Sequence, residues 1–140
     1  MVDEVLGRQL RCVVVTPERA LLDETAEFVA LPMYDGELGV LPGRSPLIGR
    51  LGYGELRIRQ NDTVRRFFVD GGFAQVRSNV VTVLTSQALR AEEINEASAQ
   101  QALEDALAPA PTPQAQEAQT RAQERARAQL RIVHHREMAG

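Results

Sequence analysis

The sequence carries one cysteine, Cys12, two histidines, His134 and His135, and sixteen basic side chains, all of them arginine. Without a lysine there is no phosphate-loop lysine, no Schiff base and no lysine general base. Cys12 stands in an apolar run before Val13-Val14-Val15, where it reads as a small buried hydrophobe. A nucleophilic cysteine would need a neighbouring base, and nothing marks one. His134 and His135 are adjacent, so on a helix they point about 100° apart and converge poorly on one metal ion. Asp70-Gly71-Gly72 supplies a carboxylate, but two glycines after it read as a turn or bulge. No nucleophile–base constellation emerges, which argues against a small hydrolase.

The most unusual stretch is Asp35-Gly36-Glu37-Leu38-Gly39-Val40-Leu41-Pro42-Gly43-Arg44-Ser45-Pro46-Leu47. Its glycines and prolines predict a long shaped loop rather than a strand. It lacks the spacing and the lysine of a phosphate-binding loop. A structural turn is the simplest reading, and an ordered loop exposing Glu37 and Arg44 also suits a protein-docking edge.

Two regions must position these groups. From Leu10 to about Leu89 the chain is rich in Val, Phe, Leu and Gly; from Ala91 onward there is no glycine until Gly140, and Ala, Gln, Glu and Arg dominate. The first composition favours strands and the second helices. Leu56 and Ile58 alternate with Arg57 and Arg59, a half-buried strand. Gln60-Asn61-Asp62-Thr63 predicts a hairpin turn into a strand carrying Arg65, Phe67 and Val69, which Asp70-Gly71-Gly72 ends. Phe73–Arg77 and Val80–Thr85 pair around Ser78-Asn79, and Arg11–Thr16 and Ala26–Leu31 are further strands. So many short strands indicate an antiparallel sandwich or barrel.

The tail predicts one helix over Ala91–Leu107 and another from Gln114 to about His135, separated by a proline-rich connector at 108–113. Ala115, Ala118, Ala122, Ala126, Leu130 and Val133 form an apolar stripe. Leu103, Leu107, Leu130 and Ile132 supply most of its bulk. Glu117, Arg121, Glu124, Arg125 and Arg131 lie opposite, with Glu117 and Arg121 in the favourable order. The stripe is thin, because alanine buries little area at roughly 25 cal/mol per Å². The fold class is β plus α: residues 1–89 form the sandwich and residues 90–140 an antiparallel helical hairpin.

The net charge of −3 offers no overall basic surface for nucleic acid. The single cysteine fits a reducing compartment. No apolar run is long enough to span a bilayer, and the first residues lack the pattern of a secretory signal.

The run Glu37-Leu38-Gly39-Val40-Leu41-Pro42-Gly43-Arg44-Ser45-Pro46-Leu47 resembles the signature loop of bacterial F-type ATP synthase epsilon subunits. Val15-Thr16-Pro17-Glu18, Gly54-Glu55-Leu56-Arg57-Ile58, Phe68-Val69-Asp70-Gly71-Gly72-Phe73 and Asn79-Val80-Val81-Thr82-Val83-Leu84 are similar in the same order. The resemblance implies a flattened sandwich of about ten strands followed by a two-helix hairpin. It implies a non-catalytic rotor-stalk subunit, peripheral on the cytoplasmic side of the bacterial inner membrane, reaching the membrane only through its complex. Its partners would be the gamma subunit, the c-subunit ring and the catalytic beta subunit. Glu37 matches the ring-contacting glutamate. Arg44 replaces the histidine that faces gamma. Arg121, Arg125 and Arg131 would meet a carboxylate-rich segment of beta when the hairpin extends and blocks ATP hydrolysis. A free-standing sandwich adaptor whose helical tail binds another protein is the alternative.

Some members of that family bind ATP through an aspartate and an arginine at the start of the first tail helix. Those positions are Asn95 and Ser98 here, and serine cannot supply the charge-assisted bonds of a guanidinium. No cofactor is therefore expected. Calorimetry on the isolated chain should show no ATP binding at or below a micromolar dissociation constant, about −8 kcal/mol; a tighter site would refute this.

Overall fold

A computed structural model describes residues 9–139. Both the start of residues 1–89 and the secretory pattern sought there extend beyond the described part. The strands are β1 (Leu10–Val15), β2 (Ala20–Ala26), β3 (Phe28–Met33), β4 (Gly36–Val40), β5 (Leu47–Gln60), β6 (Thr63–Arg77), β7 (Val80–Leu84) and β8 (Ala88–Arg90). A 3₁₀ turn, Ala91–Glu93, leads to helices α1 (Glu96–Ala106) and α2 (Pro113–Ala139). The described strands thus number eight, fewer than the ten or so that the family resemblance implies. They join in the order β2-β1-β7-β6-β5-β3-β4, with β8 on β6. Every pairing is antiparallel except β1 with β7.

Asp70-Gly71-Gly72 does not end a strand. It lies inside β6, which runs on for 15 residues beside the 14 of β5. The reason is in which side chains face the core. In β6 these are Phe67 and Val69 before the glycines and Ala74 and Val76 after them; in β5 they are Leu51, then Leu56 and Ile58. The inward parity switches in both strands at the same level. A strand alternates strictly, so a parity switch requires an irregularity. Gly71 at φ 70° and Gly72 at φ 108° provide it, in backbone regions that other residues resist. The two long strands can therefore serve both layers of one folded sheet, with the core between.

Polar groups fasten this kink. The Asp70 N–H donates to the Gln87 carbonyl (3.1 Å) and to the buried Thr85 hydroxyl (3.2 Å), and Thr85 Oγ1 donates to Gln87 O (3.1 Å). Gly72 presses so closely on β7 that a Cβ there would lie 1.9 Å from Leu84 O.

The signature stretch also differs from expectation. Gly36–Val40 is a strand, paired through Glu37–Pro32 and Val40–Val29, so only 41–46 is loop. Val40 is fully buried, and that burial draws the segment into the sheet. The two expected turns are present, with Asn61, Ser78 and Asn79 at positive φ, a conformation that the two asparagines tolerate. Ala26 and Phe28 belong to different strands, β2 and β3, because the chain bends at Glu27. Cys12 is fully buried in the core, and burial, helped by Glu24 and Asp23, pushes its thiol up to about 12.

The first helix starts later than the composition predicts. Asn95 caps α1 by accepting from the Ser98 N–H at 2.9 Å, so Ala91–Glu93 forms a separate turn. Thr112 caps α2 through the Ala115 N–H at 3.1 Å, with Pro113 in the first helical position, where it costs no hydrogen bond. The apolar stripe is real but divided. Ala126 and Val133 are buried, Ala118 is exposed, and Leu107 is 56% exposed at the end of α1. A second buried line, Ala128 and Ile132, faces the sandwich.

Gly72→Ala should destabilise the chain by at least about 2 kcal/mol in chemical denaturation, because the new Cβ meets a backbone carbonyl. Gly43→Ala, at φ 86° but with open space around it, should lose only about 1 kcal/mol from backbone strain. Equal losses would refute the role given to Gly72.

Candidate functional site: two outward faces and a seated hairpin

The sheet presents two outer faces. On one, formed by the first half of β5 with β6 and β7, the exposed apolar side chains are Ile48 (75%), Phe73 (56%) and Leu84 (51%). Phe73 and Leu84 are directly opposed across β6 and β7. Sequence reading did not single this patch out, because alternation shows which side chains share a face and not which face stays uncovered.

The hairpin sits on the other face. Phe68 is completely buried there in a small apolar cluster with Ala91, Ile94, Ala128, Ile132 and Val133, flanked by Tyr53 and Leu89. Only a few of these are large, and burying a large side chain is worth about 1.5–3 kcal/mol. Polar contacts surround this seat. Arg125 Nε donates to Asp70 Oδ1 at 2.8 Å, and its guanidinium lies 5.2 Å from the centre of the Tyr53 ring. His135 Nδ1 lies 3.1 Å from Glu55 Oε2. Arg136 donates to the carbonyls of Ala91 (2.5 Å) and Ile94 (3.2 Å).

The helices themselves are joined by amides. The side-chain amides of Gln116, Gln119 and Gln123 donate to the carbonyls of Ala110, Ala108 and Ala106. They satisfy groups left open where α1 ends. Their spacing of three and four residues was visible in the sequence and marks one helix face.

The expected docking residues are distributed unevenly. Glu37 is exposed on β4 and accepts from Arg57 Nη2 at 2.7 Å. Arg44 is exposed in the 41–46 loop, which is tied to the other layer by the Gly43 N–H on Asn79 Oδ1 at 2.8 Å. The two residues are thus anchored to different layers. Arg121 and Arg131 are exposed on α2. Arg125, expected on a solvated face, is instead half-buried against Asp70, because the kink turns that carboxylate toward the helix. A cleft of about 560 Å³ beside it is lined by Tyr34, Arg50, Tyr53, Arg127 and Arg131 among others.

No group of three potential metal ligands occurs among the described residues. None of their helices is long and apolar enough to cross a membrane. Fold and surface define a class, a β-sandwich that carries its own helical hairpin on one face and exposes an apolar patch and charged loops on others. The sequence model described as ATP synthase, Delta/Epsilon chain, beta-sandwich domain, matches residues 9–91. The chain is 54% identical over 123 residues to an ATP synthase epsilon chain of Rhodopirellula baltica, covering 87% of this chain and 96% of that protein. It is 47% identical over 92 residues to that of Pelotomaculum thermopropionicum, covering 66% and 69%. This chain belongs to the family of ATP synthase epsilon chains.

Solved structures agree. A chain in the cryo-EM structure of Euglena gracilis mitochondrial ATP synthase, OSCP/F1/c-ring in rotational state 1, superposes with a TM-score of 0.80 at 25% identity, covering 86% of this chain and 79% of that one. A chain of the Tetrahymena thermophila mitochondrial ATP synthase central stalk and c-ring superposes at 0.69 and 16% identity, covering 89% and 96%; that likeness concerns the fold alone.

Proposed function

We propose that this chain is a non-catalytic rotor-stalk subunit that couples proton translocation to ATP synthesis and restrains ATP hydrolysis. In this reading residues 1–89 dock on the stalk and residues 90–140 regulate. The partners are the gamma subunit, the c-subunit ring and the catalytic beta subunit, on the cytoplasmic side of the bacterial inner membrane. Family membership favours this over a free-standing adaptor.

The observation that carries the regulatory part is the thinness of the hairpin's seat. A few apolar side chains and three polar attachments hold a helix of 27 residues. A contact of that size leaves docked and released arrangements within reach of partners that bind one better than the other. The proline-rich connector stiffens the link between the helices without extending either. Arg121 and Arg131 already face solvent, and release of the hairpin would free Arg125 from Asp70 to join them. The three then present positive charge to an acidic segment of beta, an attraction screened over about 10 Å at 0.1 M salt. Glu37 and Arg44, on separately anchored segments, would contact the c-ring and gamma respectively.

Two outcomes test this. Replacing Glu37 and Arg44 with alanine should weaken assembly with the gamma and c-ring complex while the isolated chain keeps its fold by circular dichroism. Unchanged affinity would remove these residues from the docking surface. Truncation after Ala108 should leave assembly and synthesis largely intact and raise hydrolysis in the assembled enzyme, and reversing Arg121, Arg125 and Arg131 to glutamate should reproduce part of that rise. Wild-type hydrolysis rates in both variants would show that the tail does not inhibit.

A further inference from the structure

Glu37 and the hairpin meet the same charge cluster. The second half of β5 brings Glu55 and Arg57 to the face on which α2 rests, and cross-strand register puts Phe68 opposite Glu55 and Arg66 opposite Arg57. Glu55 is the hub. Its side chain is only 10% exposed; Oε1 accepts from Arg66 Nη1 at 3.2 Å and lies 3.6 Å from Arg57 Nη1, while Oε2 faces His135 of α2 at 3.1 Å. Arg57 in turn holds Glu37 at 2.7 Å through Nη2. A cleft of about 240 Å³ is lined by Glu37, Glu55, Arg57, Arg131 and His135, so strand-side and helix-side charges face one space.

We propose that the hairpin's seat and the availability of Glu37 are coupled through Arg57 and Glu55, so that engaging Glu37 with a partner's hydrogen-bond donor or cation loosens the hairpin, and lifting the hairpin frees Glu37. The inference rests on the reading of Glu37 as a docking residue and of the hairpin as releasable. One guanidinium serves two carboxylates. At 3.6 Å its contact with Glu55 is electrostatic and not a hydrogen bond, whereas its contact with Glu37 is a full one. When α2 leaves, Glu55 loses the His135 donor and gains solvent, and Arg57 can close on it with both nitrogens in the forked geometry that guanidinium favours. Glu37 is then released. The reverse follows from linkage, since coupling free energies are reciprocal. A partner that takes Glu37 turns Arg57 onto Glu55, and a second guanidinium there draws charge from the oxygen that His135 uses. The low exposure of Glu55 reduces the screening of these interactions relative to a fully exposed pair.

The coupling can be read in the isolated chain, without any ATPase partner. Spin labels on Gln75→Cys and Glu117→Cys report the distance between sandwich and α2, with Cys12 too buried to label. Urea at concentrations that leave the sandwich folded brings the docked fraction near one half. Glu37→Gln, which removes the charge that holds Arg57, should lower the docked-to-released ratio by about threefold to tenfold, and His135→Ala should lower it similarly. In the His135→Ala background Glu37→Gln should then change nothing. If Glu37→Gln has no effect on the wild-type chain, or if the two fold-changes simply multiply, the relay does not exist. Either result would stand whatever truncation does to hydrolysis, so failure of this inference is distinct from failure of the proposed function.

Discussion

Gly72 lies where a Cβ would stand 1.9 Å from the Leu84 carbonyl, and much of the molecule depends on that contact. Because β6 can bend there without ending, the inward parity of β5 and β6 switches between Leu51 and Leu56 and between Val69 and Ala74. Two strands can then close a sandwich core that would otherwise need separate strands for each layer. The same bend carries Asp70 outward, where its backbone is fastened to Thr85 and Gln87 and its carboxylate meets Arg125. A steric requirement inside the sheet thereby provides one of the attachments of α2.

The helical hairpin shows how a marginal contact can be specific. Its apolar seat is small, centred on Phe68 and Ile132, and such a seat alone would leave the helix free to slide. Asp70, Glu55 and the carbonyls of Ala91 and Ile94 give α2 fixed polar partners at separate points along its length. Partly exposed pairs of this kind add little stability, but a misplaced helix would leave several of them unmade. The glutamine ladder to Ala106, Ala108 and Ala110 similarly sets the register between α1 and α2.

The start of α1 shows a polar side chain committed to the backbone. Asn95 accepts the Ser98 N–H and starts α1. Its side chain is therefore engaged as a cap, one of the roles for which asparagine is preferred.

Sequence alone determined the division into strands and helices, the turns at Gln60–Thr63 and Ser78–Asn79, the connector at 108–113 and the signature segment that carries the family resemblance. These are properties of short windows, in which alternation, glycine and proline act within a few residues. What only the tertiary structure decided was whether Asp70-Gly71-Gly72 would end a strand or kink one, that Gly36–Val40 would enter the sheet, and that Arg125 would leave solvent for Asp70. It also brought Glu37, Arg57, Glu55 and His135 into one cluster. The physical reason is common to all four. A glycine pair permits several backbone paths, and an arginine or glutamate is equally at ease in water or on a partner, so the choice falls to contacts between segments up to 80 residues apart. Core burial of Val40, the approach of Leu84 to Gly72 and the seating of α2 on Phe68 are such contacts, and no local pattern encodes them.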